Sequence, residues 1–553
     1  MTRHPDYRTL FSVLSLLVLL VAVESASAAT LEEIQASLLD QLGYNPSAPF
    51  VVESTGTVPS NADPQIVNVY RENGFEPLWV DDNGPTVKAT VLLSVLKKAE
   101  SEGLDPADYQ TPRIESQWGA AGSKEQASID ILLTAALHAY VSDLREGRLD
   151  PCLLNPDLFT CARDRRIDPV ELTMQAMAAP DLGLFLQDQA PDSSQYKNLR
   201  NMLHRYREIE NKGGWSEVPK GLILEPGMSD PRVPLIVARL AATGYLPPAT
   251  PSKNPFLYDD ETVDAVMQFQ EKHGLEVDGI IGQKTRNTMN IPVSSIIRQI
   301  LINMERLRWL SRGAGERYVM VNIASFSLMV VDGAQIVLDM PVIVGKNYRK
   351  TPVFSDSIAY IEFNPFWNIP PSIARDDILS KIIKDPSYLS RMGIHVFDGW
   401  KADSKELLPE TIQWDKVSKG QMATFKLRQN PGPNNFLGRV KFMFPNRFAV
   451  YLHDTPAQEL FQHAVRTFSS GCIRLSKPIE LATLLLETDD SEWNAERILQ
   501  TVDSGKRTVV KLQSPLPIHI VYLTVYTDLD GCVCFKKDIY GRDKLLLKAL
   551  YGS

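Results

Sequence analysis

The spacing of apolar residues divides the chain into a mainly helical first half and a β-rich second half. From about residue 31 to 230 apolar residues recur at helical spacing, most clearly in two stripes: Leu92, Leu93, Leu96 and Ala99, then Leu133, Leu137, Tyr140, Val141 and Leu144. Gly103 and Gly147 follow the stripes and predict where the helices end, since glycine readily adopts a left-handed C-cap. The pattern therefore predicts a mainly helical domain over residues 31–230.

A compact three-helix module is predicted over residues 231–292. Its first helix ends before Gly244, and its second spans roughly residues 260–273. A tight loop at Asp278-Gly279 then precedes a third helix that starts near Lys284. The pattern alone assigns no chemistry to this module.

After Arg317 the apolar pattern changes to a period of two, which is typical of strands. We predict a β-rich domain over residues 317–515, with a two-residue hairpin turn at Asp332-Gly333. A partly helical insertion at about 372–424 interrupts it, and residues 516–553 form a C-terminal hairpin and tail. The predicted fold class is therefore multidomain α+β.

Residues 1–29 have the three-part layout of a secretory signal peptide. Arg3 and Arg8 precede an apolar stretch over residues 10–23, and Ala26-Ser27-Ala28 offers a small-residue cleavage site. The apolar stretch is short for a membrane span, which needs about 20 residues, although retention as an anchor stays open. After cleavage no stable membrane span is expected, and the mature protein is expected outside the cytoplasm.

Composition and cysteine count exclude some classes of function. A net charge of −9 without any run of basic residues argues against nucleic acid as a partner. Five cysteines in an exported protein leave at least one thiol unpaired, and no zinc-type ligand set exists among them. Cys152 and Cys161 could form a local disulfide, Cys532 and Cys534 are interpreted as small buried residues, and Cys472 has no nearby partner.

Cys472 and His453 are the residues best suited to chemistry. Residues 447–453 alternate as a strand that puts Tyr451 and His453 on one face, and Cys472 follows in a loop. A free thiol has a pKa of about 8.5 and is mostly protonated at neutral pH. A nucleophilic cysteine therefore needs a base to remove its proton. An imidazole about 3 Å away can take the proton and later return it to a leaving amine.

Three neighbours of Cys472 are candidate binding residues. Gly471 lets the backbone approach a substrate, Ser470 belongs to the same loop, and the N–H groups of Gly471 and Cys472 could hold an oxyanion. Arg474 would share a face with Cys472, where it could depress the thiol pKa or hold a substrate carboxylate. His463 and His395 are weaker candidates for the base. On these residues alone, a thiol enzyme and an unreactive pair of core residues both stay open.

The surrounding motifs resemble those of a known family. His453-Asp454-Thr455-Pro456, followed by Ser469-Ser470-Gly471-Cys472-Ile473-Arg474, resembles the active-site signature of L,D-transpeptidases of the YkuD type. Ser470 stands where most members have histidine, a departure that matches the large YcbB-like subgroup. Residues 364–372, 431–435 and 538–541 look like the same subgroup.

The resemblance covers nearly all of the mature chain. Residues 269–285 resemble the peptidoglycan-binding three-helix module, which assigns that role to residues 231–292. Leu78-Trp79, residues 103–106 and residues 147–151 look like the scaffold domain of the same large enzymes. By the same analogy, the insertion at 372–424 would be a cap over the site.

The family implies a ping-pong reaction without metal or organic cofactor. Cys472 would attack the peptide bond between a diamino acid, such as meso-diaminopimelate, and D-Ala, which leaves a thioester behind. The side-chain amine of a second stem would then form a 3→3 cross-link. His453 would act as base and acid, oriented by a backbone carbonyl or a nearby group, with Asp454 a candidate by adjacency. Peptidoglycan stem peptides are the expected partners, and the periplasm is the expected location.

Three other functions stay open at this point. Water could replace the acceptor amine, which would make a carboxypeptidase or endopeptidase, because pocket shape rather than the catalytic pair selects the acceptor. A variant of the transpeptidase would attach a protein to the wall instead of linking two stems. Alternatively, a non-catalytic wall-binding scaffold would depend on residues 231–292 alone.

Overall fold

The computed structural model describes residues 29–44, 63–155, 167–247, 254–310, 316–333, 335–489, 492–528 and 531–552. Residues 1–28, which contain nearly all of the predicted signal peptide, lie outside the described residues, and so does Cys161. Cys152 is disulfide-bonded, whereas Cys472, Cys532 and Cys534 carry free thiols.

The N-terminal domain is a helical bundle, as the apolar stripes predicted. Its elements are α1 (Leu31–Gln41), α2 (Pro64–Glu72), the short strands β1 (Val80–Asp81) and β2 (Gly84–Pro85), α3 (Val87–Lys97), α4 (Thr111–Gln117), α5 (Ser123–Glu146), α6 (Pro151–Leu154), α7 (Pro169–Ala178), α8 (Leu182–Gln187) and α9 (Ser194–Asn211). Side chains that accept a backbone N–H begin several of these helices, as Thr30 does for α1. Gly103 takes the predicted left-handed conformation, with φ 75°.

Helix α5 organises this domain. By length and composition it could cross a membrane, but 56% of its apolar window is buried within the fold. Asp130 on α5 is fully buried, and its carboxylate accepts hydrogen bonds from the Tyr70 hydroxyl and from the N–H groups of Leu78, Trp79 and Val80. A buried charge needs such partners to offset its desolvation, so Asp130 fixes the segment before β1 against α5.

The three-helix module follows, with α10 (Val233–Thr243), α11 (Asp260–Lys272) and α12 (Gln283–Met289). The predicted helices are confirmed, and Gly244 ends α10 in the left-handed conformation. The Gln270 amide closes the loop before α12: its Nε2 donates to Asp278 Oδ1 at 2.8 Å, and its Oε1 accepts from the Gly279 N–H at 2.9 Å. The tight turn is therefore held by a side chain of the preceding helix.

Helix α13 (Val293–Arg308) connects the module to the β domain and packs against α9. At its end Arg308 and Glu305 form an ion pair at 3.2 Å with both side chains 2% exposed. Arg308 also donates to the Tyr196 hydroxyl, and Glu305 accepts from the Leu149 N–H. These hydrogen bonds, which a buried pair requires, join α13 to the N-terminal domain.

The β domain begins with the strands that the alternating pattern predicted. They are β3 (Arg317–Asn322), β4 (Ser327–Asp332), β5 (Gln335–Gly345) and β6 (Phe354–Phe363). Asp332 pairs with Gln335 across the β4–β5 connection, and Gly333 has φ 58°. A hairpin turn is confirmed here, and its positive φ is typical of such turns, but Asp332 belongs to β4, so the loop begins at Gly333, one residue later than predicted.

The insertion folds as a subdomain that we call the cap, residues 367–429. It comprises β7 (Trp367–Asn368), α14 (Pro371–Ile373), a π-helical turn (Ala374–Ile378), α15 (Leu379–Lys384), α16 (Tyr388–Arg391), β8 (Ile394–Phe397), β9 (Glu406–Leu407), α17 (Lys419–Met422) and β10 (Lys426–Gln429). Its strands pair in the order β7-β10-β8-β9. The cap has its own apolar core, centred on Ile378, Leu389 and Leu427.

The chain then returns to the main sheet with β11 (Val440–Met443), β12 (Leu452–His453), β13 (Thr467–Ser469) and β14 (Ile473–Leu475), the helices α18 (Pro478–Asp489) and α19 (Ala495–Asp503), and β15 (Thr508–Val521). The sheet has the order β13-β5-β14-β12-β11-β6-β15-β3-β4, and β4 also pairs with β5. The ladder therefore closes on itself around an apolar core, which α18 and α19 help to cover.

Strand β15 runs across residue 515, where the sequence pattern placed the end of the β domain. A separate hairpin of β16 (Val525–Thr527) and β17 (Val533–Phe535) follows, and α20 (Arg542–Tyr551) ends the described chain. Taken together, the helical N-terminal domain, the three-helix module and the mainly β domain confirm the predicted α+β class.

Candidate active site

Cys472 and His453 are brought together by two neighbouring strands of the closed sheet. Strands β12 and β14 pair in parallel, with Leu452 beside Ile473 and His453 beside Arg474. Leu452 and Ile473 are 0% exposed and fill the core. Because side chains alternate along a strand, His453, Cys472 and Arg474 share the opposite face, with Cys472 one diagonal step from His453.

The strand predicted over residues 447–453 is shorter in the structure, where β12 contains only Leu452 and His453. The Asn446 side chain causes the difference, since its Oδ1 accepts from the N–H groups of Phe448 and Val450. An asparagine that bonds to following backbone in this way stabilises a turn. Ala449 inside this turn has φ 52°.

His453 is buried, 5% exposed, and its orientation is set by Asp454. The Nδ1 atom lies 2.6 Å from the backbone carbonyl oxygen of Asp454. A carbonyl can only accept, so Nδ1 carries the proton and Nε2 keeps its lone pair. The Asp454 carboxylate is itself held by the N–H groups of Arg439 and Thr455, at 2.8 and 2.7 Å.

The His453 imidazole stays neutral at any ordinary pH. Burial first, and then the positive charges of Arg474 and Lys441, lower its pKa to about 3. Lys441 on β11 is the cross-strand neighbour of His453 on one side, and Arg474 is its neighbour on the other. A neutral imidazole between two cations is a proton acceptor at rest.

The Cys472 thiol is partly exposed and lies 3.9 Å from the carbonyl oxygen of Ala449. Burial raises the pKa of the thiol, while contacts with Tyr451 and the positive charges of Lys441 and Arg474 act in the opposite direction. Within the described ranges, no direct hydrogen bond joins this thiol to the His453 imidazole. The resting state is therefore a protonated thiol near a neutral base.

The loop that carries Cys472 is held by hydrogen bonds that leave little freedom. Gly471 has φ 118°, a conformation that other residues rarely adopt. Its N–H donates to Ser469 Oγ at 3.1 Å, and its carbonyl accepts from Thr351 Oγ1 at 2.8 Å. Ser469 Oγ in turn donates to the Cys472 carbonyl at 2.5 Å. Ser469 and Thr351 were not singled out from the sequence.

This arrangement bears on the predicted oxyanion donors. The Gly471 N–H already donates to Ser469, whereas the Cys472 N–H donates to no acceptor in the described part of the chain. Only the Cys472 N–H is therefore free to bind an oxyanion without breaking an existing bond. Ser470 is exposed, and its Oγ accepts from Arg349 at 2.9 Å.

Arg474 and Lys441 are two cations on the same face as the thiol. Arg474 Nε is buried and has no hydrogen-bond partner among the residues that the structure describes. Lys441 Nζ lies 4.1 Å from the centre of the Tyr451 ring, and burial lowers its pKa. Lys441 was missed in the sequence because its signal, alternation over a four-residue strand, is short. His463 and His395 do not join this group: His395 contacts Glu406 and Asn430 in the cap.

No group of three or more His, Cys, Asp or Glu side chains suited to a metal ion occurs among the residues that the structure describes. The groups that face Cys472 are an imidazole, a phenol and two cations. These can accept a proton, donate hydrogen bonds and bind an anion, which are the requirements of acyl transfer.

Three family models match the chain in successive segments. Residues 64–203 match the scaffold domain, residues 229–289 match a peptidoglycan binding domain, and residues 316–510 match the YkuD L,D-transpeptidase catalytic domain. These matches confirm the resemblance to a YkuD L,D-transpeptidase catalytic domain combined with a peptidoglycan-binding domain.

Two curated proteins are similar to part of the chain. A protein of Haemophilus influenzae, whose name assigns it to the L,D-transpeptidases, is 32% identical over 251 residues, 45% of this chain and 49% of the relative. A Bacillus licheniformis protein named as a probable N-acetylmuramoyl-L-alanine amidase is 28% identical over 139 residues, 25% of this chain and 38% of the relative. The chain thus spans half or less of the length of these curated relatives.

Solved structures of L,D-transpeptidases align with low scores. The enzyme from Mycobacterium smegmatis is 15% identical, with 37% of this chain and 58% of that chain covered and a TM-score of 0.17. The enzyme from Stackebrandtia nassauensis is 13% identical, with 55% of this chain and 95% of that chain covered and a TM-score of 0.18. Scores this low carry no argument about the site.

Proposed function

We propose, from the match of residues 316–510 to the YkuD L,D-transpeptidase catalytic domain, that the protein forms 3→3 cross-links between peptidoglycan stem peptides. The reaction passes through a thioester on Cys472. The observation that carries the proposal is the shared face of Cys472 and His453, with a neutral imidazole whose Nδ1 is bound by the Asp454 carbonyl.

In the first half-reaction the Cys472 sulfur attacks the carbonyl carbon between the diamino acid and D-Ala of a tetrapeptide stem. The thiol proton passes to His453 Nε2 as the carbon–sulfur bond forms, because the buried imidazole does not hold that proton at rest. The carbon–nitrogen bond then breaks, His453 returns the proton to the leaving nitrogen, and D-Ala departs. The stem remains bound as a thioester.

The charged groups around the thiol suit this donor. The Cys472 N–H is available for the developing oxyanion, and preorganised donors of this kind lower the barrier to acyl transfer. The leaving D-Ala carries a free carboxylate next to the scissile bond. Arg474, with an unpartnered Nε, and Lys441 are the cations on this face that would bind it.

In the second half-reaction the side-chain amine of another stem attacks the thioester and restores the thiol. The peptidoglycan-binding module at residues 229–289 supports a wall substrate, since it would hold the enzyme on the polymer. We extend the proposal to the location: residues 1–29 direct export, and the protein acts in the periplasm. No metal or organic cofactor takes part in these steps.

Intact-mass spectrometry of the purified protein with a disaccharide tetrapeptide tests the proposal. We expect a covalent adduct on the wild type, released D-Ala and a dimeric 3→3 product, with all three absent in Cys472→Ala. An adduct that only hydrolyses would instead establish a carboxypeptidase. A folded wild-type protein that forms no adduct and releases no D-Ala would refute an enzymatic role and favour the wall-binding scaffold.

A further inference from the structure

Arg349 links the cap to the nucleophile loop. This residue lies in the turn between β5 and β6, outside the cap. Its Nη1 donates to Ser470 Oγ at 2.9 Å and to Asp377 Oδ2 at 2.5 Å, and its Nη2 donates to Asp376 Oδ2 at 3.2 Å. A single guanidinium therefore joins the residue two positions before Cys472 to two carboxylates of the cap.

The backbone of the cap is shaped for this contact. Adjacent residues of an α-helix point about 100° apart, yet Asp376 and Asp377 both reach the same guanidinium. They lie in the π-helical turn Ala374–Ile378, a widened turn that is rare and often found at functional sites. The irregular turn is thus accompanied by a specific contact to the nucleophile loop.

Tyr451 provides a second, apolar connection between the cap and the thiol. Its ring packs against the apolar core of the cap, and its hydroxyl interacts with both Trp367 and the Cys472 thiol. The cap therefore adjoins Cys472 on two sides, through Tyr451 and through Arg349 with Ser470. A movement of the cap would be transmitted to Cys472 through both contacts.

Arg349 is not available to bind a substrate anion in this arrangement. Its two terminal nitrogens are engaged by Ser470, Asp376 and Asp377, and its side chain is only 17% exposed. Arg474 and Lys441, by contrast, face the thiol without a carboxylate hydrogen-bonded to them in the described part of the chain. Arg474 and Lys441 are thus available to bind a substrate, whereas Arg349 links the cap to the nucleophile loop.

We propose that Arg349 is a positioning residue that couples the cap to the nucleophile loop, and holds the cap over Cys472 by bridging Ser470 to Asp376 and Asp377. The coupling follows from geometry alone. Its effect on cross-linking rests on the proposed function. Ser470, where a histidine is usual in the family, then provides the acceptor that fixes Arg349 beside the nucleophile.

The test compares Arg349→Gln and the double variant Asp376→Asn with Asp377→Asn against the wild type. Arg375→Gln is the matched control, because Arg375 also pairs with Asp376, at 2.8 Å, in the same turn. Two readouts need no transpeptidase activity: the rate of Cys472 alkylation by iodoacetamide, followed by mass, and hydrogen–deuterium exchange over residues 371–391. With the tetrapeptide substrate, kcat and KM are measured separately.

We expect both sets of variants to alkylate about fivefold faster and to exchange faster in the cap, the range for loss of a partly exposed ion-pair network. Arg349→Gln should lower kcat more than it changes KM, and Arg375→Gln should resemble the wild type. Combining the Arg349 and Asp changes should raise alkylation and exchange little beyond either set alone, because both sets break the same contact between Arg349 and the cap.

Unchanged alkylation and exchange in a folded Arg349→Gln protein would overturn the proposal, and so would additive effects of the Arg and Asp changes. If Arg349→Gln does not fold, the Asp double variant reaches the same junction from the cap. If the variants alkylate and exchange faster but the wild type forms no cross-link, the role of Arg349 is supported and the proposed function is overturned.

Discussion

The pH dependence of Cys472 reactivity follows from the two groups that share the site. Burial raises the pKa of the thiol above its usual value, while the pKa of His453 is lowered to about 3. The fall in the His453 pKa from about 6.5 to about 3 makes protonation of the imidazole about 5 kcal/mol less favourable than in water, at about 1.36 kcal/mol per pKa unit. Because the thiol pKa is raised as well, a thiolate–imidazolium pair is disfavoured at rest.

The perturbation is the pH itself, varied from 5 to 10, and the assay is alkylation of Cys472 by iodoacetamide. Peptide masses separate Cys472 from Cys532, which is also exposed. Since only the thiolate reacts, the rate should rise about tenfold per pH unit until the pH reaches the thiol pKa, above about 8.5. A His453→Gln variant should give the same profile, because the imidazole is neutral throughout this range.

A plateau in the alkylation rate between pH 5 and 7 that disappears in His453→Gln would contradict this reasoning. Such a plateau would mean that Cys472 and His453 exist as an ion pair, and that burial and the two neighbouring cations do not keep the imidazole neutral. The expected profile would instead mean that the proton leaves the thiol only while the substrate carbonyl is attacked.

Three further predictions test the surroundings of the site. Gly438 has φ 63°, and a Cβ there would lie 2.3 Å from Asp454 Cγ. Gly438→Ala should therefore displace Asp454 and lower kcat/KM by about 100-fold, while the circular dichroism of the protein stays unchanged. Lys441→Met removes a cation near Cys472 and should raise the thiol pKa, so that alkylation at pH 7.5 slows severalfold. An unchanged rate would exclude this electrostatic role. Burial lowers the pKa values of four histidines to about 4, 3, 3 and 4, namely His138, His273, His453 and His519. Their folded pKa values lie below the unfolded value of about 6.5, so the stability they contribute is present above pH 6.5 and is lost as the pH falls, by about 1.4 kcal/mol per pH unit for each. The free energy of unfolding, measured in urea at pH 7, 6 and 5, should show this decline. Asp130 partly offsets it, because burial raises the pKa of its carboxyl to about 6. The decline should be shallower in His138→Gln.

Much of the fold is determined by local patterns in the chain. The helical stripes of residues 31–230, the three helices of the module and the turn that follows Asp332 depend on residues close together in the chain. The spacing of their apolar residues and the glycines at their ends predict these elements directly. The same holds for the motif around Cys472 and for the adjacency of His453 and Asp454, whose carbonyl binds the imidazole in the structure.

Other features could not be read from the chain. Lys441 and Arg474 flank His453 only because β11, β12 and β14 are neighbours in the sheet, and strand order is not a local property. The strand over residues 447–453 was predicted too long, since its alternation is also compatible with the turn that Asn446 forms. The free N–H of Cys472 likewise depends on which groups the loop has already bonded.

The sequence by itself thus determined the domain order, the resemblance to a family and the candidate nucleophile and base, because the motifs that carry them are contiguous in the chain. Only the tertiary structure decided the charge state of the pair, since a pKa depends on burial and on charges that distant strands bring near. It also decided the link from Ser470 through Arg349 to the cap, which joins three segments far apart in the chain.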